Sequence, residues 1–216
     1  MATLPLSPKF IWPARIIIAI LTIVGIVGIY RAPADFVKLS PLNLILNAVL
    51  LLLFFGGLNK DFLRYSVLVF AGGVAVEIIG VRTGAVFGEY TYGEALGFKV
   101  GEVPLIIGLN WWMLTLSSMS ISASVSDNIY IRALTGAALM TALDVLIEPM
   151  APQLDFWYWA ENMAPLKNYI AWALVSFFFH FTGHSLKVNA ENPLAAMIFG
   201  AQAVFFIVLN VLNKWY

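Results

Sequence analysis

The chain has 216 residues, of which 61% are hydrophobic and only 11% are charged, whereas a soluble domain averages about 25% charged residues. Most of its surface is therefore expected to face lipid rather than water. A net charge of zero without a basic run argues against nucleic acid as a partner, and the absence of cysteine excludes disulfides, thiol nucleophiles and thiolate metal ligands.

Seven apolar stretches approach the length of about 20 residues that crosses the hydrocarbon core of a bilayer. They predict an all-α polytopic integral membrane protein, with about seven transmembrane helices in one bundle and a single domain over 1–216. The first stretch exceeds the apolar core of a secretory signal peptide, so we expect it to remain as a span. The predicted spans are 11–30, 41–58, 62–81, 104–124, 129–149, 167–186 and 193–213.

Proline and polar residues mark the ends of several predicted spans. Pro41, Pro104 and Pro193 stand at predicted helix starts, where the missing backbone N–H of proline costs nothing. The polar run 59–61 predicts a tight turn between the second and third spans. These signals support the boundaries of four of the seven spans.

Acidic residues are distributed unevenly between the two sides of the predicted bundle. With seven spans, the odd-numbered connections share one side with the C-terminus. Asp61, Asp127 and Glu191 lie on the opposite side, and the other nine of the twelve acidic residues lie on or near the C-terminal side, which we call the acidic side. Lysine and arginine residues are divided equally between the two sides, so the positive-inside rule predicts no orientation of the bundle in the membrane. Any chemistry is expected on the acidic side.

Two long connections, 82–103 and 150–166, also fall on the acidic side. The first is rich in glycine and aromatic residues, which predicts a segment that lies in the membrane interface or folds back as a lid. The second contains the aromatic run 156–159, which is typical of residues that anchor a protein at the level of the lipid headgroups.

Three acidic residues, Glu77, Asp144 and Glu148, lie inside or at the ends of predicted spans. A charged side chain near the centre of a span costs roughly 2.5 kcal/mol or more, so such residues often mark functional sites. Asp144 and Glu148 are one turn apart and share a helix face, and the topology brings Glu77 to the same side. The alternative is that these carboxyl groups only join helices through hydrogen bonds.

Asparagine and tryptophan residues are predicted at the same depth as the carboxyl groups, which describes a mostly apolar pocket with a few convergent polar groups. Two readings stay open here. The tryptophans of the fourth span also suit interfacial anchoring, and the asparagines of the second span also suit hydrogen bonding between helices. The residues concerned are Asn43 and Asn47, Asn110 with Trp111 and Trp112, and Asn168 with Trp172.

Such a pocket favours acid chemistry on a lipid-soluble alkene. A carboxyl group buried among apolar side chains favours its neutral form, which can donate a proton. Aromatic faces stabilise cations without attacking them, and an amide can hold a water molecule. The combination predicts protonation of an alkene and capture of the resulting carbocation.

His180 and His184 are spaced i, i+4, as in helical metal sites. They lack the surrounding HExxH pattern and a third ligand, so we expect an interfacial polar pair and no metal. Two histidines are also too few for a di-iron oxygenase.

Several short motifs follow one another in a specific order between residues 75 and 185. They are Gly80-Val-Arg-Thr-Gly84, Phe87-Gly88-Glu-Tyr90-Thr-Tyr92, Leu96-Gly97, Val103-Pro104, Asp144 with Glu148-Pro149, Trp157-Tyr-Trp159, and Pro165-Leu-Lys-Asn168 with Trp172. In order and spacing this set resembles the carotenoid biosynthesis membrane protein family, which includes bisanhydrobacterioruberin hydratase and bacterial carotenoid 1,2-hydratases.

The resemblance implies addition of water across the terminal C1–C2 double bond of an acyclic ψ end group, as in lycopene or γ-carotene, without a cofactor. In that reaction Asp144 or Glu148 is expected to donate the proton, while Glu77 holds the water or completes a proton relay. The remaining candidates are expected to bind or orient the substrate. They are Asn47, Tyr90, Tyr92, Asn110, Trp111, Asn168 and Trp172.

Two alternatives remain open at this point. A lycopene-cyclase-like enzyme would begin with the same protonation and let an internal alkene capture the cation. The second alternative is a non-enzymatic membrane subunit or a transporter. The sequence has neither the inverted repeat nor the paired helix breaks typical of transporters. The expected partners are a carotenoid and the bilayer, with association with other carotenoid enzymes or self-association, in a prokaryotic cytoplasmic membrane.

Overall fold

Seven long helices make up most of the computed structural model, which describes residues 6–56 and 58–213. A one-turn helix, α2 (Pro33–Phe36), joins the first two of them. The long helices are α1 (Ile11–Arg31), α3 (Ser40–Leu53), α4 (Lys60–Thr83), α5 (Ile106–Ala123), α6 (Ile129–Ile147), α7 (Leu166–Ser185) and α8 (Ala195–Asn213). Each corresponds to one predicted span, so the helical membrane fold is confirmed.

Five helical segments are long and apolar enough to cross a membrane: Pro8–Arg31, Pro33–Leu53, Lys60–Thr83, Ile129–Ile147 and Ala195–Leu212. α5 and α7 are not among them. α5 packs against α3, α4, α6, α7 and α8, and α7 packs against α6. The two helices that do not meet this criterion, α5 and α7, therefore pack against helices that do.

Local side chains explain where several helices begin and end. The side chain of Asn59 accepts a hydrogen bond from the backbone N–H of Phe62 at 2.8 Å, which caps the start of α4. Gly84, with φ of 63°, ends the same helix in the left-handed conformation that glycine adopts without strain. Pro41 lies in the first turn of α3 as predicted, whereas Pro104 and Pro193 precede α5 and α8 by two residues.

The two long connections fold back over the helix ends and pair with each other. Strand β1 (Tyr90–Tyr92) is antiparallel to strand β4 (Trp157–Trp159), with Tyr90 opposite Trp159 and Tyr92 opposite Trp157. A second pair, β2 (Lys99–Val100) and β3 (Val103–Pro104), closes a tight hairpin. The helix pattern does not predict these strands, since they arise where two distant segments satisfy each other's backbone groups.

We call the folded connections, 84–105 and 149–165, the cap. Of the two arrangements expected for the first connection, the structure has the folded-back one, in which its residues Phe87 and Leu96 are buried. The expectation that 156–159 anchors at headgroups is wrong for most of the run, because Phe156 and Trp159 are buried and only Tyr158 is exposed. The cap therefore covers the acidic end of the bundle.

Candidate active site

Glu77 is a buried carboxyl group with three hydrogen-bond donors around it. Its Oε2 atom accepts from the hydroxyls of Tyr90 at 2.5 Å and Tyr92 at 2.8 Å. Its Oε1 atom accepts from Nε1 of Trp111 at 3.0 Å. The cap and α5 thus converge on a side chain of α4.

The tyrosine hydroxyls are suited to remain donors. Burial raises the pKa of Tyr90 and Tyr92 above the ordinary value of a phenol, and the nearby Glu77 carboxyl group is the second cause of the rise. Both cap residues therefore stay protonated at physiological pH. They can donate to Glu77 under all ordinary conditions.

Glu148, at the C-terminal end of α6, is surrounded in a similar way. Its Oε2 atom accepts from Nε1 of Trp159 at 2.7 Å and from Nε1 of Trp157 at 3.2 Å. Its Oε1 atom accepts from Nδ2 of Asn168 at 3.1 Å. The two tryptophans were predicted as membrane anchors, and their role here was missed. Alternate residues of a strand share a face, so the Trp-Tyr-Trp pattern could have suggested it.

Asp144 lies one turn before Glu148 and is fully buried. Its Oδ2 atom accepts from Nδ2 of Asn168 at 2.7 Å. Its Oδ1 atom is buried and has no hydrogen-bond partner among the described residues. Asn168 therefore uses one side-chain amide to join the two carboxyl groups of α6.

A cavity of about 30 Å³ separates the two glutamates. That volume holds one or two water molecules, since a water needs about 10–15 Å³ measured in this way. Oδ1 of Asn110 is buried beside the cavity without a partner among the described residues, so a bound donor there would satisfy it. The cavity is lined by Glu77, Phe87, Tyr90, Tyr92, Ile107, Asn110, Trp111, Ile147, Glu148, Trp157, Trp159, Asn168 and Trp172.

Stacked indoles form one wall of this cavity. The rings of Trp111 and Trp172 lie 4.2 Å apart at an angle of 19°. A Cβ atom on Gly73 of α4 would lie 2.8 Å from Cβ of Trp111, so only glycine lets α4 approach α5 this closely. The reading of Trp111 as an interfacial anchor is therefore wrong, because it is buried with 1% exposure.

Two sequence candidates lie outside the cavity wall. Asp144 is behind Glu148 and Asn168, and Asn47 lines a neighbouring cavity of about 90 Å³. Nδ2 of Asn47 donates to Oδ1 of Asn43 at 2.7 Å, so this pair bonds within α3 rather than between helices. The other eight predicted site residues line the cavity together.

The histidine pair lies in the helix packing, away from the carboxyl groups. Nε2 of His180 is 2.8 Å from Oγ of Ser118, and Nε2 of His184 is 3.3 Å from Oγ of Ser122, both on α5. His180 is fully buried and not interfacial as expected. The pair thus connects α7 to α5.

Comparison with known proteins points to one family. Residues 39–215 match the family described as carotenoid biosynthesis protein. Bisanhydrobacterioruberin hydratase from Haloarcula japonica is 30% identical over 107 residues, which cover 46% of this chain and only 36% of that protein. No solved structure matches the chain. The family match includes every residue of the cavity wall, and the chain belongs to the carotenoid biosynthesis protein family.

Proposed function

We propose that this chain is a carotenoid hydratase, which adds water across the terminal C1–C2 double bond of an acyclic ψ end group. Lycopene and γ-carotene are the expected kinds of substrate. One observation carries the proposal: the buried carboxyl groups of Glu77 and Glu148 line a cavity the size of one or two waters, with Asp144 buried behind them. None of the three has an ion-pair partner in the described part of the chain. Family membership and the hydratase name of the Haloarcula japonica relative support the substrate class.

The first step is proton transfer to C2 of the alkene. Glu148 lies in the cavity wall and Asp144 lies behind it, which supports Glu148 as the acid and Asp144 as the group that replenishes its proton. The π electrons of the double bond form the new C2–H bond. A tertiary carbocation is left at C1, and Glu148 becomes a carboxylate.

The cation is stabilised by aromatic faces. Trp111 and Trp172 form a stacked pair beside the cavity. In the cap, the ring centroids of Tyr90 and Trp159 lie 5.0 Å apart. Ring quadrupoles attract a cation, by about 0.5–2 kcal/mol each, and offer no competing nucleophile. The cation therefore persists long enough for water to reach it.

Water held by Glu77 and Asn110 completes the reaction. A carboxylate has about four acceptor positions, of which Glu77 uses three, so one remains for the water. Oδ1 of Asn110 is available for the second hydrogen. The water oxygen bonds to C1 and its extra proton passes to a carboxylate, which restores the site and yields a tertiary alcohol.

The balance of this reaction needs no electron acceptor, so we propose a hydro-lyase that works without a redox cofactor. We further propose that it acts in a prokaryotic cytoplasmic membrane, alone or beside other carotenoid enzymes. Both proposals start from the membrane fold and from membership of the family.

Pigment analysis tests the proposal. The chain is expressed in one bacterial host that accumulates lycopene and in another that accumulates γ-carotene, with Glu148→Gln as the matched inactive control. We expect a more polar product heavier by one water, absent from the control. A product of unchanged mass with one double bond fewer for each ring formed would mean cyclisation instead. Unaltered pigment in both hosts would also contradict the proposal.

A further inference from the structure

Three cavities lie in a row from the surface of the bundle to the candidate site. The inner cavity is the one between the glutamates, the middle cavity has about 90 Å³, and an outer cavity has about 120 Å³. Outer and middle cavities share Ser40, Asn43 and Phe205. Middle and inner cavities share Ile107, Asn110, Ile147 and Trp157.

The outer cavity opens on the part of the surface that faces lipid. It lies between α1, α3 and α8, and these are three of the helices long and apolar enough to span a membrane. Val24 and Leu42 line it, and each is 51% exposed. Exposed apolar side chains on spanning helices contact hydrocarbon, so a molecule dissolved in the bilayer can reach this cavity directly.

An aromatic ring marks the passage between the outer and middle cavities. Phe205 of α8 belongs to both walls, and its Cε2 atom would lie 3.1 Å from a Cβ atom on Gly25 of α1. Glycine at that position lets the ring lie against α1.

The middle cavity suits an apolar occupant better than a file of water molecules. Most of its lining is aliphatic or aromatic. Two of its polar side chains are occupied within their own helices, because Asn47 donates to Asn43 and the Thr22 hydroxyl donates to the carbonyl of Ile18 at 2.8 Å. Asn110, at the inner end, remains free to meet the water or the reacting end.

We propose that the outer and middle cavities form a track along which a long polyene enters from the bilayer, one end first. Its terminal double bond reaches the inner cavity while the part of the chain next to that end occupies the middle and outer cavities. The identity of the polyene as a carotenoid rests on the proposed function. The track would process one end of a symmetrical substrate at a time, so the half-reacted molecule must leave and return reversed.

Blocking the middle cavity tests the track. Ala201 of α8 lines the middle cavity and neither of the other two, so Ala201→Trp fills it without touching the carboxyl groups. Val204→Trp is the matched control, because Val204 is on the same helix, is 51% exposed and lines none of the three. The readout is lycopene that co-elutes with detergent-solubilised protein in size exclusion, measured by its visible absorption.

We expect Ala201→Trp to lower bound lycopene about tenfold or more, which is about 1.4 kcal/mol or more of binding free energy, because the indole fills the space that the polyene would occupy. The control is expected to bind like the unmodified protein. Equal binding by both variants would overturn the track. If the tryptophan variant does not elute as folded protein, Ala201→Leu fills the cavity partly and makes the same comparison.

A short substrate separates the track from the chemistry. Geranylacetone carries the same isopropylidene end on a much shorter chain, so Ala201→Trp should retain its hydration while losing that of lycopene. Equal loss for both substrates with lycopene binding intact would mean that the middle cavity conducts water, which contradicts the proposal. Failure to hydrate either substrate, with lycopene bound by the unmodified protein and lost in Ala201→Trp, would refute the proposed function and leave the track supported.

Discussion

Asn168 and Asp144 are joined by a hydrogen bond of 2.7 Å from Nδ2 to Oδ2. The same nitrogen lies 3.1 Å from Oε1 of Glu148, and an amide NH₂ has two hydrogens to donate. One side chain of α7 therefore holds both carboxyl groups of α6. The acid and the group behind it are held by the same side chain, which connects the packing of α6 on α7 to the chemistry.

Removing this amide should separate the two carboxyl groups. Asn168→Ala leaves the Asp144 and Glu148 oxygens without their shared donor, so we expect hydration to slow about 10²-fold, the scale of a lost acid–base arrangement. Product formation in purified membranes measures the effect. Asn162→Ala, at an exposed cap position, is the control, and equal rates in the two variants would contradict the positioning role.

The three carboxyl groups should differ in their importance. Glu148→Gln removes the proposed acid and is expected to slow hydration about 10²–10⁴-fold. Asp144→Asn, which lies behind the wall, should slow it less, and Glu77→Gln should weaken water capture. Glu161→Gln, in the exposed part of the cap, should be neutral. Unchanged product from all three amide variants would rule out the assigned site.

Gly73 should be required for the contact between α4 and α5. Gly73→Ala puts a methyl group 2.8 Å from Cβ of Trp111, and such overpacking costs about 1–3 kcal/mol of stability. Gly200→Ala is the matched control, since nothing lies within 4 Å of the added methyl. Thermal unfolding in detergent should show a lower midpoint for Gly73→Ala only, and equal midpoints would refute the close approach.

The cap tyrosines should make stability depend on alkaline pH. Burial raises the pKa of Tyr90 and Tyr92, and the nearby Glu77 carboxyl group raises it further. In the unfolded chain both phenols titrate at about pH 10. Their contribution is therefore fully present below that pH and is lost as pH rises, because the unfolded state ionises first. Replacing both by phenylalanine should flatten the fall in unfolding temperature between about pH 9 and 11.

The control for this experiment is Tyr130→Phe, at an exposed position on α6. It should leave the alkaline fall unchanged. A double variant with the same pH slope as the unmodified protein would show that the two phenols do not stay neutral in the fold.

Much of the site followed from local features of the sequence. Span lengths predicted seven helices because crossing hydrocarbon requires a nearly fixed number of apolar residues. The i, i+4 spacing predicted that Asp144 and Glu148 share a face, and counting spans predicted that Glu77 joins them. These predictions need only the period and direction of each helix, both of which the neighbouring residues determine.

Only the tertiary structure decided what surrounds each carboxyl group. The pairing of β1 with β4 brings Trp159 onto Glu148 and Tyr90 onto Glu77, and neither segment by itself indicates which strand it pairs with. Although the two residues share a face, only Glu148 lies in the cavity wall, and Asp144, one turn earlier, lies behind it. Spacing along the chain determines which side chains share a face, whereas contacts between distant segments determine what that face meets.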